Sequence, residues 1–103
     1  MKDIPQIDPS ELKSRLQSGE NIYMIDVRED DEVAQGMIYG AKHIPMGDIP
    51  ARLDEIPRDT EVIFICRSGG RSQRVCEFLS RQGLGNVVNM QGGMLEWYAG
   101  EEE

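Results

Sequence analysis

Four consecutive apolar residues, Val62-Ile63-Phe64-Ile65, stand directly before Cys66-Arg67-Ser68-Gly69-Gly70-Arg71-Ser72. The run is β-branched and aromatic, with no polar alternation. That pattern predicts a strand buried on both faces, and such strands belong to parallel sheets covered by helices on each side. Behind the loop, Ser72 to Gln82 carries Val75, Cys76, Phe78 and Leu79 at helical spacing, and Gly83 ends the run. Strand, loop and helix in this order put Cys66 at the C-terminal edge of the sheet, where open parallel sheets bind ligands.

The residue types in the loop point to an anion. Gly69 and Gly70 open conformations closed to residues with a Cβ, so a tight loop can turn several N–H groups inward as a nest. The following helix adds its N-terminal partial charge, and Arg67 and Arg71 add full charges. A cysteine at the centre of such a loop is expected to favour its thiolate. Cys76 is different: it falls one turn into the helix, beside Val75 and Leu79, where a small core residue is expected. A thiol there could resolve an oxidised Cys66 only if the helix turned it toward the loop.

The remaining chain alternates strand and helix. Pro5-Gln6-Ile7 reads as an edge strand. Asp8-Pro9-Ser10-Glu11 reads as a helix start, with Asp8 at the N-cap, Pro9 in the first helical position and Glu11 closing a capping-box-like pair. Ile22 to Val27 is a second buried strand, with Asp26 near its C-terminal end. Arg28 to Gln35 reads as a short acidic helix, and Lys42 to Pro45 as a short strand. His43, the only histidine, is expected to be a hydrogen-bonded framework residue rather than a base. Ile49, Leu53 and Ile56 predict a helix over Asp48 to Ile56. Asn86 to Met90 is the last strand. Gln91-Gly92-Gly93 then turns into a helix over Met94 to Ala99, with Trp97 in the core, and the two glycines let this turn pass close to the cysteine loop. The expectation is an α/β domain with a mostly parallel sheet of five strands and right-handed crossovers.

At 103 residues the chain is expected to form one domain over residues 1–103, its core about 4–98, with 101–103 as a frayed acidic tail. A net charge of −8 argues against nucleic acid or an anionic membrane as partner, so an anionic substrate must be attracted locally by the loop. No apolar run reaches membrane-spanning length, and Met1 to Gln6 holds no apolar signal core, so a cytoplasmic protein is expected; a monomer is the expected state, though no residue pattern fixes it. Two cysteines in no metal-like spacing fit a reducing compartment, and no metal is expected.

Four segments in order resemble the rhodanese (sulfurtransferase) family: Cys66 to Ser72 its active loop, Ile25-Asp26-Val27-Arg28 its D-x-R signature, Gly40 to Pro45 its G-A-x-H-I-P segment, and Gly92 to Trp97 its closing G-G-x-x-x-W. The resemblance implies a three-layer α/β/α domain. It also implies that Cys66 takes a sulfane sulfur as a persulfide and passes it on, with no organic cofactor. Arg67, Ser68, Gly69, Gly70, Arg71 and Ser72 would bind the donor, and Asp26 and Arg28 would support the loop. Arg67 after the cysteine looks like the thiosulfate-using branch rather than the mercaptopyruvate one, since a guanidinium suits a small dianion. Thioredoxin, glutathione or a sulfur-relay protein are the acceptors implied in the cell, and cyanide in vitro. Two readings compete. A cysteine phosphatase or arsenate reductase needs five residues between cysteine and arginine, and here Arg71 follows after four. A non-catalytic rhodanese-like binding module would typically lack the cysteine.

Overall fold

Strand β4, Val62–Ile65, is buried at every position and lies at the centre of the sheet. The computed structural model describes residues 3–101. Around β4 stand β1 (Gln6–Ile7), β2 (Tyr23–Asp26), β3 (Lys42–His43) and β5 (Val87–Met90), in the order β1-β5-β4-β2-β3. Every pairing is parallel, so the sheet is wholly rather than mostly parallel. Helix α1 spans Pro9–Gln17, α2 Asp30–Val33, α3 Gly70–Arg81 and α4 Gly93–Glu101, and a 3₁₀ helix spans Met46–Glu55.

The two faces of β4 build two apolar layers. Val62, Phe64 and Cys66 point to one side, with Val75, Cys76 and Leu79 of α3 and Ile49 of the 3₁₀ helix. Ile63 and Ile65 point to the other, with Leu12 of α1 and Met94 and Trp97 of α4. This is the pleat period of two with helices on both faces, as the uninterrupted apolar run required.

Several elements differ from expectation. Asp8 takes the N-cap backbone conformation with Pro9 in the first helical turn, but makes no side-chain cap; its carboxylate accepts from Gln91 Nε2 instead, so no Asp8–Glu11 capping pair forms. The acidic helix is shorter than Arg28 to Gln35, because Arg28 folds back onto Asp26 and leaves Glu29 as the N-cap. The segment expected as a helix over Asp48 to Ile56 is instead 3₁₀, over Met46–Glu55, with Ile56 extended. Pro50 inside it has no N–H to donate, and the run breaks at Arg52 (φ −123°). Helix α3 starts at Gly70, so Arg71 and Ser72 belong to its first turn and the true loop is only Arg67 to Gly69. Glu101 still belongs to α4, while the rest of the expected frayed tail lies outside the described residues.

Candidate active site

The strand, loop and helix hold Cys66 at the end of β4, fully buried. Its Sγ accepts the Gly69 N–H at 3.0 Å and lies 3.3 Å from Ser72 Oγ. Burial alone would push the thiol up. The Ser72 hydroxyl and the N–H groups of Ser72, Gly69 and Ser68 outweigh that, and the thiol is held below its ordinary value. Gly69 makes this geometry available: its φ of +96° is left-handed, and a Cβ there would lie 3.0 Å from the Gly92 nitrogen. Gly70, by contrast, has no positive φ, so the expectation of special backbone freedom does not hold there.

The turn after β5 shapes the loop from the other side. The N–H groups of Met94 and Leu95, among the free donors at the start of α4, bond the Cys66 carbonyl at 2.9 Å and the Arg67 carbonyl at 3.0 Å. With those carbonyls held outward, the loop's N–H groups are left to face the sulfur. The approach is close: a Cβ on Gly93 would come within 2.5 Å of the Arg67 carbonyl.

The two loop arginines differ. Arg67 is exposed and has no ion-pair partner among the described residues. Arg71 is closed on Glu32 of α2 through two bonds of 2.7 Å, which hold the Glu32 carboxyl down at about 2. Arg71 therefore braces the loop against α2, and its charge is not free for an incoming anion. Glu32 Oε1 also accepts the Glu29 N–H at 3.0 Å.

Asp26 and Arg28 come together as a buried pair, with Arg28 Nε and Nη2 on the Asp26 carboxylate at 3.0 and 2.8 Å. Neither touches the sulfur. Arg28 Nη2 also donates to the Gly36 carbonyl at 2.7 Å, and His43 Nε2 donates to the Arg28 carbonyl at 2.7 Å. The pair thus fixes the segment that carries Glu32. His43 acts in the framework and makes no bond to Cys66. Asn89 of β5, 2.5 Å from Ser72 Oγ, is a site residue that the sequence reading missed. Its signal was a lone amide in a strand apolar on both faces. Among the described residues no cluster of three acidic, histidine or cysteine side chains could hold a metal. No described helix is long and apolar enough to cross a membrane.

A cysteine followed by a short loop at the end of the middle strand of a parallel sheet, with helices on both faces, defines the class as a layered α/β protein. The Rhodanese-like domain profile matches residues 8–100. The chain is 50% identical over 95 residues to the Bacillus subtilis protein named Putative sulfurtransferase YtwF, covering 92% of this chain and 91% of that one. It is 44% identical to a sulfurtransferase of Allochromatium vinosum, covering 91% and 88%. The crystal structure of a rhodanese-like domain protein from Staphylococcus aureus superimposes with a TM-score of 0.86 at 37% identity, covering 91% of both chains. The chain belongs to the rhodanese-like family. At the level these names support, it is a transferase of sulfur.

Proposed function

We propose that Cys66 carries a single sulfur between a donor anion and a thiophilic acceptor. The observation that carries this reading is the Cys66 sulfur itself, ringed by the Gly69 N–H and the Ser72 hydroxyl and held toward thiolate. The thiolate attacks the outer sulfur of thiosulfate; the Cys–S bond to it forms as the bond to the sulfonate breaks, and sulfite leaves with the bonding pair. The persulfide then meets a nucleophile, which takes the outer sulfur and returns Cys66 to thiolate. Cyanide would leave as thiocyanate. A thiol such as glutathione, thioredoxin or a sulfur-relay protein would leave as a persulfide. The intermediate is covalent, so the cycle calls for no metal or organic cofactor.

In this reading the loop N–H groups stabilise the anion at each stage, and Arg67 at the exposed edge draws the donor against the net charge of −8. Cys66 itself has no exposed surface, and the loop residues that follow it, Arg67 and Ser68, are exposed. A reducing, cytoplasmic setting suits a thiol that must return to its free form.

Intact-protein mass spectrometry before and after incubation with thiosulfate tests this. One added sulfur atom on the wild type, absent in Cys66→Ser and removed by cyanide, is the expected result. No gain with a Cys66 that still alkylates would move the donor to a protein persulfide. No gain with an unreactive Cys66 would leave a binding module as the account.

A further inference from the structure

Asn89 is the one buried polar residue of β5. Val88 and Met90 face the α1–α4 layer and Val87 the α3 layer, so the pleat turns Asn89 toward α3. Its carboxamide sits in a chain of hydrogen bonds whose direction is fixed. Gln6 Nε2 donates to the Ile4 carbonyl at 3.0 Å and to Gln73 Oε1 at 2.7 Å. Asn89 Nδ2 donates to Gln6 Oε1 at 2.8 Å and to the Gly69 carbonyl at 3.3 Å. A backbone carbonyl only accepts. Ile4 therefore orients Gln6, Gln6 orients Asn89, and Asn89 presents its oxygen to Ser72 Oγ at 2.5 Å. The same hydroxyl lies 3.3 Å from Cys66 Sγ and 3.4 Å from the Gly69 carbonyl. It has one proton and three acceptors for it, of which the amide oxygen is the nearest and the sulfur and the Gly69 carbonyl are more distant.

We propose that Asn89 is a positioning residue that acts through Ser72, holding the hydroxyl proton away from Cys66 until the sulfur is charged. While Sγ is a thiol, or the inner sulfur of a persulfide, the Ser72 proton rests on Asn89 Oδ1. When Sγ becomes anionic, the hydroxyl turns and donates to it. The proton stays on the Ser72 oxygen throughout, and on ionisation the thiol proton goes to water. Turning costs Asn89 its donor in a buried place, so Asn89 opposes the thiolate. The function this serves is balance: a thiol that ionises too easily is a good leaving group but a poor nucleophile, and Cys66 must be both in turn.

Other charges near the loop are mostly closed on partners. From α3 come Arg71, paired with Glu32 of α2, and Cys76, a neutral thiol pushed up to about 12. From β2 comes Asp26, paired with Arg28; from α4 comes Glu96, beside Gly92; Arg67 is exposed on the loop itself.

The inference rests on Cys66 as the reactive thiol, and its test uses no sulfur donor, so it can fail independently of the transfer reading. The rate of Cys66 alkylation by iodoacetamide is followed against pH in the wild type, Asn89→Ala, Asn89→Asp, Ser72→Ala and the Asn89→Ala/Ser72→Ala double variant, each checked for native circular dichroism. Asn89→Ala is expected to move the Cys66 midpoint down by about 0.5 to 1 pH unit. Asn89→Asp is expected to move it up, because a carboxylate holds the hydroxyl proton harder and repels the thiolate. On the Ser72→Ala background Asn89→Ala is expected to move nothing. Asn89→Leu, which fills the space, carries the same expectation as Asn89→Ala if the smaller residue does not fold. The proposal is overturned if the midpoint is unmoved in Asn89→Ala and Asn89→Leu, if the alanine and aspartate variants shift it in the same direction, or if the shift persists without Ser72.

Discussion

Cys66 and Cys76 are both fully buried, and both belong to the apolar layer under α3. Their thiols are nevertheless driven in opposite directions. Burial pushes Cys76 up to about 12, with the nearby Glu77 and Cys66 adding to it. Cys66 feels the same burial, but a hydroxyl and three backbone N–H groups converge on it and reverse the outcome. Burial alone therefore disfavours the thiolate; burial with donors aimed at the sulfur favours it. The difference lies in where each residue sits. Cys66 stands where a strand has ended and backbone donors are free. Cys76 stands inside α3, where its neighbours' N–H groups are spent on helix bonds.

The sharpest break in the comparison is removal of each thiol. Cys66→Ala is expected to cut sulfur transfer by about 10³-fold or more, and Cys76→Ala to leave it within about 3-fold, read as thiocyanate formed from thiosulfate and cyanide. A large loss in Cys76→Ala would mean that the second thiol takes part after all. Next is the turn that aims the donors. A Cβ at Gly93 meets the Cys66 and Arg67 carbonyls at 2.6 and 2.5 Å, and its φ of +60° adds strain. Gly93→Ala is expected to cost about 2–4 kcal/mol in denaturant unfolding and to raise the Cys66 alkylation midpoint toward that of an ordinary thiol. A stable Gly93→Ala with unchanged alkylation would show that α4 does not shape the loop.

The two arginines are expected to separate binding from bracing. Arg67→Ala is expected to raise KM for thiosulfate about 10-fold with kcat little changed. Glu32→Gln, which releases Arg71, is expected to lower kcat and stability together. Equal KM effects in the two would remove the distinction. The smallest effect is in pH. Cys66 is lowered on folding, so the stability it adds is present above the ordinary thiol value and is lost as pH falls through its folded value. Cys76 is raised, so its contribution is present below the ordinary value and is lost as pH rises toward about 12. Chemical denaturation across the alkaline range is expected to show the downward slope disappear in Cys76→Ala and persist in Cys66→Ala.

Much of this was legible in the chain. The apolar Val62–Ile65 run dictated a strand buried on both faces, and with it the layered parallel sheet. Cys66 before a glycine and a helical run placed a tight strand-to-helix loop there, and Gly69 supplies its left-handed turn. Gly92-Gly93 dictated a close turn, and its closeness to the loop is visible in the Met94 and Leu95 bonds. Pro50 inside a helical spacing was a readable warning of 3₁₀ geometry that periodicity alone overrode.

What the sequence by itself determined is what adjacent residues impose on one another: burial from apolar runs, turns from glycine, a free N–H cluster where a strand meets a helix. Only the tertiary structure decided which distant group each polar side chain would meet. Arg71 finds Glu32 from 39 positions away, and Ser72 finds Asn89 from 17. The carboxylate of Asp8, expected at its own helix end, is taken by Gln91. The physical reason is that hydrogen bonds reach only about 3 Å, so their partners are set by which elements the sheet order brings side by side. Strand β5 neighbours β4, and that placement brings an unremarked asparagine against Ser72, the residue whose hydroxyl lies beside the sulfur.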